Sequence, residues 1–373
     1  MAAVRSVCIT YGAKTRNANH KLKRLEPMAS AAFLSFLRRL LGAWVRSLLP
    51  APLAQRARKE RVSAFCIGFN YSQREHSGIP ILRPCCDGAK KIGFRMAELG
   101  AQRVSILIDD ASASGVLESS EDTPCDSCVT CTRASTDGRE LENSIAAFIT
   151  GSVIGDSTSD VALLIAFCGH GTRVRDDENE EYHECIVTPN GVDYLTNAAL
   201  NLCVARALRA RAGRELSLLV FMFDSCHSGT QLDLQFTYRA EKDEWVDTHT
   251  NTSVAPAPFC AMPGSPVVVC FSACTATGDA HEILQQGQSF GLFSRAILRN
   301  LWCLNTSVLE CYRRVRLDVM GCPGLHQVPM LCSSQPFQAD LCFDGRASAP
   351  FPLASSSSVD ASSVDASSAA SFS

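Results

Sequence analysis

The sequence predicts an α/β protein: a three-layer sandwich with a mostly parallel central sheet and helices on both faces. Three observations carry this. Near-continuous apolar runs recur through the middle of the chain, as strands buried on both sides require. They alternate with stretches of helical periodicity, the pattern of a parallel sheet built from crossover units. Two of the runs end in glycine-flanked loops that carry reactive side chains, and open α/β sheets place their sites at such strand ends.

Length and composition set the frame for these elements. A chain of 373 residues suits one large α/β domain with appendages or two modest ones. Hydrophobic residues at 46% against charged residues at 20% provide for a sizeable core and exclude global disorder. No uncharged apolar run reaches about 18 residues, so no membrane-spanning helix is expected. The net charge is −3, but it is unevenly spread. Residues 1–59 hold twelve Lys/Arg against one acid, Glu26, a surplus of +11 that leaves −14 for the rest. A basic leader on an acidic body argues against a nucleic-acid binder.

From the N-terminus, residues 1–27 are polar and basic. In 29–49, Phe33, Phe36, Leu37, Leu40, Leu41, Trp44 and Leu48 form a helical stripe, with Arg38, Arg39 and Arg46 on other faces and Pro50 and Pro52 after it. Such a basic amphipathic helix contacts a membrane surface, serves as a transit peptide or docks on its own body. The main domain starts near 61. Strands are expected at 62–69, 104–108, 161–167, 185–187, 216–223 and 267–271, and helices at 89–99, 141–149, 198–212 (closed by Gly213) and 293–301. Residues 111–138 read as an exposed loop insertion. Its Cys125, Cys128 and Cys131 have zinc-ligand spacing but no fourth ligand nearby. The tail, 346–373, is rich in Ser and Ala, and it is expected to stay unfolded for want of apolar surface. The chain therefore divides into an extension (1–60), a catalytic-type domain (61–345) and a tail (346–373).

The 19 cysteines are odd in number and many sit inside apolar runs, which points to reduced thiols in an intracellular protein. Any single one is most simply a small buried hydrophobe. Two positions stand apart. His170 follows the run 161–167 and Cys226 follows 216–223, with Gly171 and Gly229 beside them to let a substrate approach the backbone. A cysteine and a histidine brought together form a nucleophilic pair: the thiolate attacks a carbonyl and the imidazole supplies a proton to the leaving group. Asp224, two residues before the cysteine, either pairs with a cationic substrate side chain or caps a helix.

The motifs Cys168-Gly169-His170-Gly171 and Asp224-Ser225-Cys226-His227-Ser228-Gly229 resemble those of the metacaspases, caspase-like cysteine peptidases. Gly68-Phe69-Asn70-Tyr71, Leu232-Asp233-Leu234 and Gln327-Val328-Pro329 extend the resemblance over roughly 61–343. It implies a caspase-like sandwich, His170 as general acid/base, Cys226 as nucleophile, the N–H groups of Gly171 and Cys226 as oxyanion hole, and cleavage after Arg or Lys. Asp224, Asp87 and Cys168 become the substrate-binding candidates. Two of these depart from the family pattern. In Leu82-Arg83-Pro84-Cys85-Cys86-Asp87-Gly88, Gly88 stands where the family has an aspartate lining the pocket for P1, the residue before the scissile bond, and Asp87 is one residue early. Cys168 replaces a serine, a better hydrogen-bond donor.

The resemblance also brings calcium. Of the expected ligands Asp233 remains, but His183 replaces one aspartate and Asn197 and Ala198 align with a pair of them. No cofactor is required on this reading, and calcium dependence is expected to be weak or absent. The acidic run Asp176, Asp177, Glu178, Glu180, Glu181 and Glu184 is a solvated face or a calcium- or substrate-attracting edge. The expectation is a monomeric cysteine endopeptidase acting on protein or peptide substrates with basic P1 residues, without nucleic acid, and cytoplasmic, with a mitochondrial location as the alternative. Its competitors are a catalytically impaired homologue that binds partners and a zinc-dependent interaction module at 111–138.

Overall fold

The structure, a computed structural model, describes residues 61–72, 79–110, 128–134, 138–151, 160–176, 182–211, 215–250, 256–262, 264–285 and 288–346. The basic extension with its expected amphipathic helix, Cys125, the acidic residues at 177–181 and the tail beyond 346 lie outside them. In chain order the elements are β1 (Arg61–Gly68), α1 (Cys85–Glu98), β2 (Arg103–Ile108), β3 (Val129–Arg133), α2 (Gly138–Thr150), β4 (Asp160–Cys168), β5 (Gly171–Arg175), β6 (Tyr182–Val187), β7 (Tyr194–Thr196), α3 (Asn197–Ala210), β8 (Leu218–Asp224), β9 (Phe236–Arg239), β10 (Glu244–Asp247), β11 (Val267–Ser272), β12 (Glu282–Gln285), β13 (Gln288–Gly291), α4 (Leu292–Asn300), α5 (Val308–Met320) and β14 (Met330–Ser333).

Nine strands form one sheet in the order β10-β9-β14-β11-β8-β4-β1-β2-β3. The pairs from β11 through β3 are parallel, and β14, β9 and β10 add an antiparallel edge. Strand residues alternate between two cores, as a period of two demands. Ala162, Leu164, Ala166 and Cys168 of β4 face the cluster containing α1, α4 and α5. Leu163, Ile165 and Phe167 face the cluster containing α2 and α3. The fold is a caspase-like three-layer sandwich. Phe167, Phe221 and Phe223 fill the second core, each contributing about 1.5–3 kcal/mol of burial. A small second sheet, β5-β6-β7, packs nearby, and β12 and β13 form a hairpin.

Several expectations need correction. The stretch 111–138 is not wholly an exposed insertion: 129–133 forms the edge strand β3, paired parallel with β2, while Cys128 and Cys131 pack against the core beside α1. Helix α1 starts at Cys85, four residues before its expected start, so the motif Cys85–Gly88 is a first helical turn and not a loop. Helix α3 begins after Thr196, whose hydroxyl accepts the Ala199 N–H, and ends at Ala210, short of Gly213. Among the described residues, seventeen cysteines are all free thiols, no helix is long and apolar enough to cross a membrane, and no group of three His, Cys, Asp or Glu side chains is placed to hold a metal ion.

Candidate active site

Register alone brings the two reactive loops together. In the β4–β8 pair, Cys168 lies opposite Asp224, and Gly68 at the end of β1 lies opposite Cys168. Three adjacent strands thus end level at the carboxyl edge of the sheet, and the chain turns out of β4 into His170 and out of β8 into Cys226. The loops are tied together: Gly169 donates its N–H to Asp224 O at 3.2 Å, and Phe69 N–H reaches Cys168 O at 3.0 Å. Gly171 sits against the nucleophile loop so closely that a Cβ there would lie 2.0 Å from Cys226 O. Only glycine permits that approach.

A cavity of about 150 Å³ opens at this edge, and both His170 and Cys226 line it. The imidazole Nε2 lies 2.7 Å from Pro80 O. A carbonyl can only accept, so the proton sits on Nε2 and the lone pair is left on Nδ1. Partial burial lowers the His170 pKa below that of an ordinary imidazole, while the Pro80 contact works the other way. Burial raises the Cys226 thiol, with the Ala280 N–H opposing and Asp279 adding to the rise. The resting pair is therefore a neutral thiol and a neutral base. Ala280 N–H points at Cys226 Sγ from 3.3 Å and is placed to stabilise charge as it develops on sulfur.

One side of the cavity is acidic. Asp224 is buried; its Oδ2 accepts the Ser294 N–H at 2.9 Å, and a Cβ on Gly291 would come within 2.1 Å of the same oxygen. Asp224 thus lines the cavity and accepts from the first turn of α4, whose first residues are Leu292 to Ser294, and it does not cap a helix after its own strand, where none follows. Burial pushes its pKa up, with Glu282 adding to the rise. Glu282, at the exposed start of β12, is a second lining carboxylate, raised by partial burial and opposed by the Arg83 N–H. Sequence reasoning missed Glu282 and Ser294, since nothing local marks a residue of a short hairpin or helix start as facing a distant loop; Cys85, part of the motif at 82–88, also lines the cavity. Cys168 lines the cavity with its Sγ 3.3 Å from Ser294 Oγ. Asp87 is not brought there: it is exposed on α1 and outside the lining. Helical spacing sends 87 outward and 88 inward, so a Cβ on Gly88 would lie 3.5 Å from Cys168 Sγ and 3.8 Å from Ser294 Oγ.

Asp233 lies apart from the cavity. Its Oδ2 accepts amide hydrogens from Asn197 Nδ2 and Asn201 Nδ2, both at 3.0 Å. The Asn197 orientation follows from its Oδ1, which accepts the Ala198 N–H at 2.9 Å and faces His183 Nδ1 at 3.2 Å. His183 Nε2 lies 3.5 Å from Asp176. Calcium needs six to eight oxygens; Asp233 Oδ2 is taken by two amide donors, and among the described residues no group of three His, Cys, Asp or Glu side chains is placed to hold an ion. Glu184 is no part of a solvated face: it is 3% exposed and accepts the Thr230 N–H at 2.9 Å just after the cysteine loop.

A parallel α/β sandwich that sets a cysteine and a histidine at neighbouring strand ends, over one acidic cavity, defines the class of caspase-like cysteine peptidases. The chain belongs to the caspase-domain family, whose profile matches residues 92–339. It is similar to Metacaspase-1B of Aspergillus oryzae, 26% identical in an alignment of 230 residues that covers 51% of this chain and 54% of that one. Metacaspase III c of Phaeodactylum tricornutum is 28% identical over 185 residues, 48% of this chain and 46% of that one. Metacaspase-1B of Aspergillus niger is 35% identical over 223 residues, 49% of this chain and 50% of that one. The chain spans about half the length of these curated relatives.

Proposed function

We propose that the protein is an endopeptidase that cleaves after Arg or Lys, with Cys226 as nucleophile and His170 as general base and then general acid. The observation that carries this reading is the single cavity shared by a thiol, an imidazole with its lone pair on Nδ1, and the carboxylates of Asp224 and Glu282. His170 takes the thiol proton, sulfur attacks the scissile carbonyl, and the N–H groups of Gly171 and Cys226 receive the oxyanion. His170 then returns the proton to the leaving amine, and water hydrolyses the thioester. The basic P1 preference follows from electrostatics. Asp224 and Glu282 are both destabilised as carboxylates by burial, and Asp224 also by Glu282, so a guanidinium or ammonium entering between them relieves both. Peptide reporters ending in Arg, Lys, Asp or Leu test this directly: turnover of the Arg and Lys peptides alone is expected, and turnover of the Asp peptide alone would sink the reading. A partner-binding homologue without catalysis would turn over none of them.

Gly88→Asp is expected to improve kcat/KM on Arg peptides by roughly five- to tenfold. Its Cβ fits beside Cys168 and Ser294, two residues of the cavity wall, so the substitution adds a carboxylate next to that wall. An unchanged kcat/KM in steady-state assays would mean that Asp224 and Glu282 already saturate the preference. Calcium titration is expected to leave the peptidase rate and the unfolding midpoint within about twofold and a degree or so of the calcium-free values, because Asp233 is held by amide donors. Strong activation that disappears in Asp233→Ala would overturn this.

A further inference from the structure

Tyr71 occupies a strained position with no role in the chemistry above. Its φ is +60°, a left-handed conformation rare for a bulky residue, and such conformations persist only where the surroundings impose them. The surroundings here are specific. Asp109, buried at the end of β2, accepts the N–H of Asn70 at 2.8 Å and that of Tyr71 at 2.6 Å. The Cys86 thiol also points at Asp109 Oδ1 from 3.2 Å, and Cys86 N–H donates to Asn70 Oδ1 at 3.0 Å. The turn therefore cannot relax into ordinary geometry without stripping the buried carboxylate of its two backbone donors.

The strained turn carries the tyrosine ring under the histidine loop. The Tyr71 hydroxyl accepts the backbone N–H of His170 at 3.0 Å and donates to Val187 O at 2.9 Å. Its ring centroid is 4.8 Å from that of the imidazole. The side chain is fully buried, and a Cβ on Gly169 would lie 2.9 Å from the hydroxyl. Desolvation keeps the phenol protonated, so it remains the donor to Val187. One hydroxyl thus fixes both the backbone of His170 and the end of β6, the strand paired with the one that follows the His170 loop, while the ring face limits where the imidazole swings.

We propose that Tyr71 is a positioning residue that holds His170 in register with Cys226, and that Asp109 sets the turn that puts it there. This rests on the His170–Cys226 reading above. Tyr71→Phe keeps the ring and removes only the hydroxyl, so a core-filling tyrosine would lose little by it. The expected result is a fall in kcat on an Arg peptide reporter of roughly tenfold with KM within about twofold. The second-order rate of Cys226 alkylation by iodoacetamide at neutral pH, read on the Cys226 peptide by mass spectrometry, is expected to fall by a similar factor, towards that of His170→Ala. Alkylation requires no peptide turnover, so it separates the two readings. If His170→Ala alkylates like wild type, the dyad itself is absent and both readings fall. If His170→Ala is slow while folded Tyr71→Phe keeps wild-type alkylation and kcat, only the Tyr71 assignment falls. Should Tyr71→Phe fail to fold, Asp109→Asn decides: slowed alkylation and lowered kcat at unchanged KM support the proposal, and wild-type rates in a folded Asp109→Asn overturn it.

Discussion

Cys226→Ala is expected to reduce peptidase activity to background, a loss of about 10⁴-fold or more, with His170→Ala close behind. Members of such a pair act as a unit, so the double variant is expected to lose little beyond either single one. The reason is geometric: Cys226 and His170 follow the level ends of β8 and β4 and line one cavity, with Ala280 N–H facing the sulfur. The neutral resting pair adds a pH signature. Activity needs His170 unprotonated, and burial lowers its pKa. The rate therefore rises with pH through that lowered value, and the acid limb of kcat/KM is expected below the 6.5 of an ordinary imidazole. Burial raises the Cys226 thiol above its ordinary range, so the alkaline side of the plateau is expected to extend beyond that range. Activity retained in Cys226→Ala but lost in Cys85→Ala or Cys168→Ala would transfer the nucleophile to a different lining thiol.

Asp224→Asn is expected to have the second largest effect, a loss of kcat/KM on Arg peptides of roughly thirty- to several-thousandfold. That corresponds to about 2–5 kcal/mol for removing one member of a desolvated charge pair. Asparagine is chosen because the site is shaped around the carboxylate: Ser294 N–H donates to it, and Gly291 leaves no room beside it. The loss is expected to be confined to basic P1 residues, so a peptide-library profile of the variant should flatten towards neutral P1 residues. A profile unchanged from wild type would show that Glu282 alone, or a different wall of the cavity, reads the P1 charge.

The parallel half of the sheet was legible because its strands are buried on both faces, which requires near-continuous apolar runs of strand length such as 161–167 and 216–223. The antiparallel edge was not. Strands β9 and β10 are short and partly exposed, with burial patterns such as that of Glu244–Asp247 that give neither a continuous nor an alternating signal, and β14, though buried, is only four residues long. The edge strand β3 alternates, with Val129 and Cys131 half-buried and Thr130 and Thr132 exposed, but it is only five residues long and lies in a polar stretch, so it reads as loop. The helix α5 went unread although Ser307 caps it through the Glu310 N–H.

At the site, the sequence by itself determined the chemistry on offer: a histidine and a cysteine each placed just past a buried strand, with glycines at 171 and 229, and an aspartate at 224. Those are local facts, carried by strand ends and by the backbone freedom of glycine. Only the tertiary structure decided which groups share a cavity. It drew in Glu282 from a hairpin more than fifty residues beyond the cysteine, sent Asp87 outward and Gly88 inward through the hundred-degree step of a helix, and surrounded Asp233 with the amides of Asn197 and Asn201. Charge pairing and desolvation depend on distance through space, and the chain order of residues does not encode that distance until the sheet has set its register.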